Sequence, residues 1–445
     1  MKLNKKLLHS ALIFIPFGLS AQVMHSNGMI IHVTNGGILH CNGGVLLSNT
    51  DFTNDGLVDI TKNSTLAQPG TLEFNMNSNV AGDGTYRIEQ DWINDANFSS
   101  GNSEVILYGS TEQFITSNTG VVTTFNDLTL TGIGTSDNRR KTLLDVDSKT
   151  GTNGVLNLND RELYTQGNIF TVENSSPNAV LNSLTYNEEG FVSSIDAGNL
   201  IRNINQSDDY IFPVGSSDGT RRYRPVVVGS YSTNPQSYAV RMNNFTPSQN
   251  GYAVGNHESH IDDVNSKYYH SIAQLSGVND ADLSIAYDGN TEKKWESIAH
   301  WGVASNKWED TYNNSISTLG NYKLVSKSNW NFPVNENEYA LITKSKTVTI
   351  VESFSPNGDG SNDFFHIDNL EEYPKTEIWI YTRWGLEVYH NEDYKNDWDG
   401  TSQNALNIGS EILPEGTYYY IVKMGGDKEL SNSGKEYKGF VYIKR

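Results

Sequence analysis

The 445-residue sequence is poor in cysteine and in positive charge: it has one cysteine, Cys41, and 32 Lys and Arg residues against 52 Asp and Glu. A single cysteine excludes an intramolecular disulfide framework and a cysteine-based zinc site. The acidic balance argues against nucleic-acid binding, which needs a basic face to displace counterions. After residue 21, no apolar run approaches the ~20 residues of a membrane-spanning helix. The sequence therefore predicts no nucleic-acid partner.

The first 21 residues have the pattern of a secretory signal peptide. Three lysines precede a short apolar stretch from Leu7 to Leu19, and Ser20-Ala21 provides the small residues before a cleavage site. We therefore predict an exported protein whose mature chain begins at Gln22.

The rest of the chain lacks helical periodicity and predicts an all-β protein of three domains. Residues 22–200 consist of short β-type runs separated by Gly and Asn, such as Leu57–Ile60 and Val105–Leu107. These runs are shorter than typical sandwich strands, so a β-solenoid is favoured over an antiparallel sandwich. The longer runs in residues 201–343 indicate a β-sandwich, and residues 348–445 form a third all-β unit.

The third unit contains several spaced motifs. They are Phe354-Ser355-Pro356-Asn357-Gly358-Asp359-Gly360, Arg383-Trp384-Gly385, Trp398-Asp399-Gly400-Thr401, Gly416-Thr417-Tyr418-Tyr419-Tyr420 and Gly439-Phe440-Val441-Tyr442-Ile443. In this order they resemble the gliding motility-associated C-terminal domain, the type B cargo domain of the type IX secretion system. Thr382 stands where that family commonly has Asn.

The resemblance implies an Ig-like β-sandwich sorting domain. The signal peptide would take the chain across the inner membrane, and this domain would direct it through the type IX translocon. Type B domains are usually retained at the outer membrane, where they pair with a small β-barrel of the PorP/SprF type. The implied location is the cell surface, in association with the outer membrane.

Two candidate sites lie in this unit. Asn357, Asp359, Ser361 and Asp363 place oxygens at every second position of a Gly-containing loop, which is a pattern suited to Ca²⁺. The alternative is a turn whose side chains bond its own backbone.

The second candidate site is a partner-binding surface. Strand alternation places Trp379 and Tyr381 on the face opposite Ile378 and Ile380, whose aliphatic face is the better candidate for the core. The other candidates in this surface are Arg383 and Trp384 in the hairpin turn, and Tyr442 in the final strand. We expect that strand to lie at a sheet edge, where a barrel could extend it by β-augmentation.

Other clusters favour structural roles. Four tryptophans in the middle domain are expected to pack in its core; they are Trp295, Trp301, Trp308 and Trp330. The basic run Arg139-Arg140-Lys141 is interpreted as a solvated loop, with an acidic polysaccharide as the alternative contact. His257 and His260 are interpreted as loop residues because their spacing is not that of a helical zinc pair.

The sequence contains no nucleophile elbow, phosphate loop or catalytic cysteine in context. We therefore expect a non-enzymatic surface protein, an adhesin or a gliding-motility-associated component, with a surface glycan or protein as its ligand. The alternative is a secreted polysaccharide-active enzyme, a lyase or hydrolase, on the solenoid domain. Carboxylates converging with Arg or Lys on the solenoid would favour the enzyme.

Overall fold

The structure, a computed structural model, describes residues 23–277, 279–345, 348–358, 362–370, 373–403, 411–425 and 434–445. These residues form 41 strands and three short 3-10 helices, Ser136–Arg139, Pro177–Ala179 and Pro247–Asn250. The all-β prediction is confirmed, whereas the predicted signal peptide lies outside the described residues. The chain divides into two compact units: the second is Lys344–Arg445 with Ser259–Asp262, and the first is the remainder.

The first unit begins as a solenoid in which successive strands pass through three faces in strict rotation. One face is a sheet of eight parallel strands: β1 (Met24–Asn27), β4 (Val45–Ser48), β7 (Leu72–Phe74), β10 (Trp92–Asn94), β13 (Gln113–Thr116), β16 (Arg140–Leu144), β19 (Glu162–Tyr164) and β22 (Phe191–Ser193). The next position in the rotation holds β2 (Ile30–Val33), β5 (Asp51–Asn54), β8 (Asn79–Ala81) and β11 (Asn97–Phe98), followed in a separate sheet by β14 (Thr123–Phe125), β17 (Ser148–Thr150) and β20 (Ile169–Val172). The last position holds β3 (Ile38–Asn42), β6 (Leu57–Thr61), β9 (Thr85–Ile88), β12 (Glu104–Leu107), β15 (Asp127–Leu130), β18 (Leu156–Asn157) and β21 (Val180–Leu181).

The solenoid interior explains why such short strands are stable. Each strand turns its alternate side chains inward, and the next turn of the chain covers them. Phe74, for example, is fully buried and has Phe52, Tyr86 and Trp92 as ring neighbours from the same and adjacent turns. The prediction of a solenoid is confirmed.

The solenoid continues into a sandwich through one strand, β23 (Asn199–Ile204). This strand pairs parallel with β20 and antiparallel with β28 (Gln236–Asn243), so a single sheet changes from parallel to antiparallel there. The predicted boundary at residue 200 falls within this strand. Beyond β28 the same sheet contains β30 (Tyr269–Ser276), β36 (Glu338–Lys344), β32 (Ser297–Gly302) and β33 (Lys307–Asp310), and β29 (Ile261–Val264) also pairs with β36.

The facing sheet of the sandwich is antiparallel. It contains β24 (Asp209–Phe212), β27 (Val226–Ser230), β31 (Ala281–Tyr287), β35 (Tyr322–Trp330) and β34 (Asn314–Leu319), and a small hairpin is formed by β25 (Gly215–Ser216) and β26 (Arg222–Tyr223). One buried apolar cluster extends from Val33 in the solenoid to Leu341 in the sandwich. The two predicted domains therefore share a continuous core.

The tryptophans of the sandwich pack as predicted. Trp301 and Trp308 are cross-strand partners in the β32–β33 hairpin, with ring centroids 5.5 Å apart. Both are buried, as is Trp295, and Trp330 is partly buried against the core.

The basic run is not a solvated loop, and that prediction is wrong. Lys141 lies in β16, is fully buried and donates from Nζ to the carbonyl oxygen of Gly109 and to Oε1 of Gln113. Arg140 pairs with Glu162 and Asp218, and Arg139 donates to the carbonyl oxygen of Asp160. Arg139 ends a 3-10 helix, and Arg140 and Lys141 begin β16, where the strand turns Lys141 inward and neighbouring turns supply its partners.

The second unit contains one mixed five-stranded sheet in the order β37 (Ser353–Phe354), β41 (Glu436–Ile443), β40 (Gly416–Lys423), β38 (Glu377–Tyr381) and β39 (Glu387–Asn391). Its inner face packs on segments that lie outside the sheet, and in the described residues these segments form no second sheet. The buried side chains of those segments include Phe365, Ile367, Tyr394, Trp398 and Leu413. Trp398 donates its ring N–H to the carbonyl oxygen of Thr401, and this bond holds its buried indole in place.

Candidate docking surface

The outer face of the C-terminal sheet carries the predicted partner-binding residues. Ile378 and Ile380 are fully buried, whereas Trp379 and Tyr381 on the same strand are half-buried on the opposite face. The predicted assignment of the two faces of β38 is therefore confirmed. Trp379 is held in place by His390 of β39, which stacks on it with ring centroids 5.2 Å apart and an interplanar angle of 7°.

Three aromatic residues form a row across the outer face, which we call the aromatic row: Tyr381, Tyr419 and Phe440. Tyr381 of β38 is the cross-strand partner of Tyr419 of β40, and Tyr419 is the partner of Phe440 of β41. Tyr419 and Phe440 are each 49% exposed. Cross-strand partners lie close enough for side-chain contact, so the row presents a continuous apolar surface to solvent.

The hairpin turn beside the row holds Arg383 and Trp384. The hydroxyl of Thr382 accepts the backbone N–H groups of Trp384 (3.3 Å) and Leu386 (3.2 Å), so Thr serves this turn in the position where Asn is common. Trp384 is 85% exposed, and the guanidinium of Arg383 lies 5.2 Å from the centroid of its ring. The turn therefore projects an aromatic ring into solvent.

The final strand is only partly an edge, which corrects the prediction. Strand β37 lies outside β41, but it pairs only with Tyr442 and Ile443. Within the described part of the chain, no strand pairs with the outer side of β41 before Tyr442. Among the described strands, β37 therefore covers this edge at one end only.

Tyr442 is fixed by a hydrogen bond. Its hydroxyl donates to Oε1 of Glu415 (2.7 Å), which raises the pKa of Tyr442 and lowers the pKa of Glu415. Arg445 is tied down as well, donating to the carbonyl oxygens of Leu413 and Gly400. The chain end is therefore anchored beside the exposed rings.

The candidate calcium loop is described in part, because Asp359 and Ser361 lie outside the described residues. Oδ1 of Asp363 accepts the backbone N–H groups of Asn357 (3.1 Å) and Gly358 (2.7 Å). These bonds within the loop are of the kind expected from the alternative, a turn whose side chains bond its own backbone. Calcium binding by Asn357, Asp359, Ser361 and Asp363 stays a prediction.

A charged cluster on the solenoid was not predicted from the sequence. On the outward face of β3, β6 and β9, His40 Nδ1 lies 2.9 Å from Asp59 Oδ2, and Arg87 Nη1 lies 3.5 Å from Asp59 Oδ1. Lys62 and Glu89 form an adjacent pair at 3.6 Å. Turn lengths in the solenoid are uneven, so the sequence does not reveal which outward residues become neighbours.

A depression of about 320 Å³ adjoins this cluster. Its lining includes Glu89, Tyr108 and Ile133, and the guanidinium of Arg87 lies 4.9 Å from the centroid of the Tyr108 ring. Burial and the nearby Asp59 and Glu89 carboxylates raise the pKa of Tyr108 to about 12. The tyrosine is therefore a neutral hydrogen-bonding group at ordinary pH.

The two loop histidines do not form a metal site in the described part of the chain. His257 Nδ1 lies 2.9 Å from the carbonyl oxygen of Glu258.

Among the described residues, no helix is long and apolar enough to cross a membrane.

Comparison with known families identifies the C-terminal unit. Residues 348–443 match the CHU_C type IX secretion signal domain. No curated protein and no solved structure matches the chain. The chain therefore carries a C-terminal type IX sorting domain that the type IX secretion machinery recognises, and it is a secreted protein exported to the cell surface or the extracellular space.

Proposed function

We propose that this protein is a non-enzymatic display protein, an adhesin or gliding-motility-associated component, which docks on a PorP/SprF-type outer-membrane β-barrel through the outer face of its C-terminal sheet. The observation that carries the docking proposal is the concentration of exposed rings in one small unit. Among the described residues of that unit, five aromatic side chains are exposed: Phe364, Trp384, Tyr419, Phe440 and Tyr442.

Exposed aromatic patches of this kind are typical of interaction sites. Tyr and Trp bury large areas at low entropic cost and dominate interface energetics, whereas a soluble surface seldom groups them. The aromatic row and Trp384 give the partner one apolar contact area, and β41, which β37 covers at one end only among the described strands, lies beside it. These features support docking by side chains with strand addition as a secondary contribution.

The first unit supports the display role. Eight parallel strands at about 4.8 Å spacing give one solenoid face a length of roughly 34 Å. The sheet that runs on through β23 joins this solenoid to the sandwich without a flexible linker. Such a platform suits a protein that must present a binding face away from its anchor.

The docking proposal is tested by binding of the purified full-length chain to the barrel in lipid nanodiscs. We expect Tyr419→Ser with Phe440→Ser to weaken binding at least about thirtyfold, because each truncated hot-spot aromatic costs about 2 kcal/mol or more. The matched control is Tyr231→Ser with Tyr312→Ser, two exposed tyrosines of the first unit. Unchanged binding by the folded row variant would place the docking surface elsewhere.

A second candidate function, a polysaccharide-active enzyme, is favoured by the charged cluster at Asp59, Arg87 and Glu89. Carboxylates do converge there with Arg and Lys beside a depression that a sugar could enter. The test is incubation of the secreted chain with neutral and uronate-containing polysaccharides, with product release as readout. Turnover that Arg87→Met or Tyr108→Phe abolishes, in a normally folded protein, would replace the display role.

A further inference from the structure

The C-terminal unit brings two carboxylates and one imidazole together on the outer face of its sheet. Trp379 pairs with His390 and Ile378 with Asn391 across β38 and β39, and continuing this register one residue past the end of β39 brings Glu392 opposite Glu377. Residues 390 and 392 share a face because strand side chains alternate. One ligand atom from each of Glu377, His390 and Glu392 lies within 4.8 Å of the other two.

We propose that Glu377, His390 and Glu392 bind a divalent transition-metal ion, and Zn²⁺ is the ion used to test the site. Nε2 of His390 lies 3.0 Å from Oε1 of Glu377, close to the separation of two ligands on one tetrahedral zinc ion. Glu392 is exposed directly after β39 and completes the set by a side-chain rotation. Water occupies the fourth position.

The imidazole is held in position before any ion arrives. Its ring lies flat on Trp379, and the backbone N–H of His390 donates to Oε1 of Gln403 (2.9 Å). The side chains of His390 and Glu377 are 33% and 28% exposed, so the ion has a direct path from solvent. A ring fixed by stacking loses little entropy on metal binding.

The donor set determines the class of ion. Two carboxylates neutralise a divalent charge, and a neutral imidazole nitrogen is a ligand for Zn²⁺, Ni²⁺ or Cu²⁺. Ca²⁺ and Mg²⁺ prefer oxygen ligands throughout and gain little from His390. This site is thus distinct in chemistry from the candidate calcium loop.

A plain ion pair between His390 and Glu377 is the competing explanation, and it gives Glu392 no role. The experiment therefore measures Zn²⁺ binding to the full-length protein by titration calorimetry. We expect one saturable site, loss of that site in His390→Gln, and at least about tenfold weaker binding in Glu392→Gln. The matched control is His366→Gln, since His366 pairs with Asp368 at 3.2 Å on an exposed surface of the same unit.

The Trp379 stack supplies a second readout. Ni²⁺ at His390 lies beside the indole ring, so we expect it to quench part of the tryptophan fluorescence and Zn²⁺ to reverse the quenching. Trp379→Phe should remove this signal and keep the calorimetric site. Zn²⁺ binding that is absent from the parent protein, or that survives unchanged in folded His390→Gln or Glu392→Gln, would overturn the proposal.

Discussion

The two units of the chain distribute charges and aromatic rings in opposite ways. The first unit buries several ionisable side chains, which include Lys141, Arg161, Glu162, Arg202, Glu189 and Arg224. In the described part of the second unit the buried polar residues are Thr376 and Ser402, and five aromatic rings are exposed. Among its described residues, the first unit exposes two such rings, Tyr231 and Tyr312.

The first unit surrounds its buried polar groups with its own hydrogen-bonding partners, whereas the second leaves an apolar surface available to another protein. A charged side chain is tolerated in the protein interior only where partners surround it. Glu292 is such a partner for the guanidinium of Arg224, and it also accepts a hydrogen bond from the hydroxyl of Tyr268. An exposed aromatic row contributes little to folding but is available to a partner. The comparison predicts that substitutions in the first unit affect stability, and that substitutions on the outer face of the second unit affect export or docking.

The largest expected effect is on export. Deleting residues 348–445 removes the sorting domain, so we expect the truncated chain to accumulate in the periplasm, with residues 22–347 folded on their own core. Surface proteolysis of intact cells and a periplasmic extract measure the distribution, with the full-length chain as control. A truncated chain that reaches the surface normally would contradict the assignment of export to this unit.

Arg202 offers the largest expected effect on stability. Its fully buried guanidinium donates to the carbonyl oxygens of Ile211, Ser176 and Pro177, at 2.6, 3.0 and 2.9 Å. Arg202→Met removes all three hydrogen bonds made by this buried cation, so we expect a loss of about 3 kcal/mol or more in the free energy of unfolding. Denaturant unfolding of Arg202→Met and of the exposed Arg383→Met tests this, and equal stability of the two would show that the buried bonds are dispensable.

Lys141 makes the first unit sensitive to pH. Burial lowers the pKa of its ammonium group to about 7, well below the ~10.4 of an unfolded lysine. Between these two values the unfolded chain holds a proton that the folded chain lacks, so stability falls as pH falls, by up to about 1.4 kcal/mol per pH unit. Below the folded pKa the dependence ends because both states are protonated.

We therefore expect Lys141→Met to flatten the dependence of unfolding free energy on pH between these two pKa values. Lys149→Met is the control, since Lys149 is part-exposed and pairs with Glu173 at 2.7 Å. A parent protein without this slope, or a Lys141→Met protein that keeps it, would show that Lys141 is protonated in the fold.

These residues also show what the sequence can predict. The alternation of Ile378 and Trp379 is a local property of one strand, so the two faces of β38 follow from the sequence. The sequence does not predict that Lys141 is buried, because its partners Gly109 and Gln113 come from the preceding turn of the solenoid. Since the turns differ in length, the sequence does not show which residues become neighbours. The aromatic row and the cluster at Asp59 depend in the same way on cross-strand register, which local pattern does not determine.

The smallest expected effect on stability is that of substituting Trp384. This substitution is the sharpest test of the difference between the two units, because it should affect binding and leave stability nearly unchanged. Its ring is 85% exposed and contacts Arg383 of its own turn, so Trp384→Ser should change the unfolding free energy by no more than about 0.5 kcal/mol. If the outer face is a docking surface, the same change should weaken barrel binding by about 2 kcal/mol. Thermal unfolding and nanodisc binding measured on one preparation separate the two effects, and a variant that loses stability but keeps full binding would reverse the roles assigned to this face.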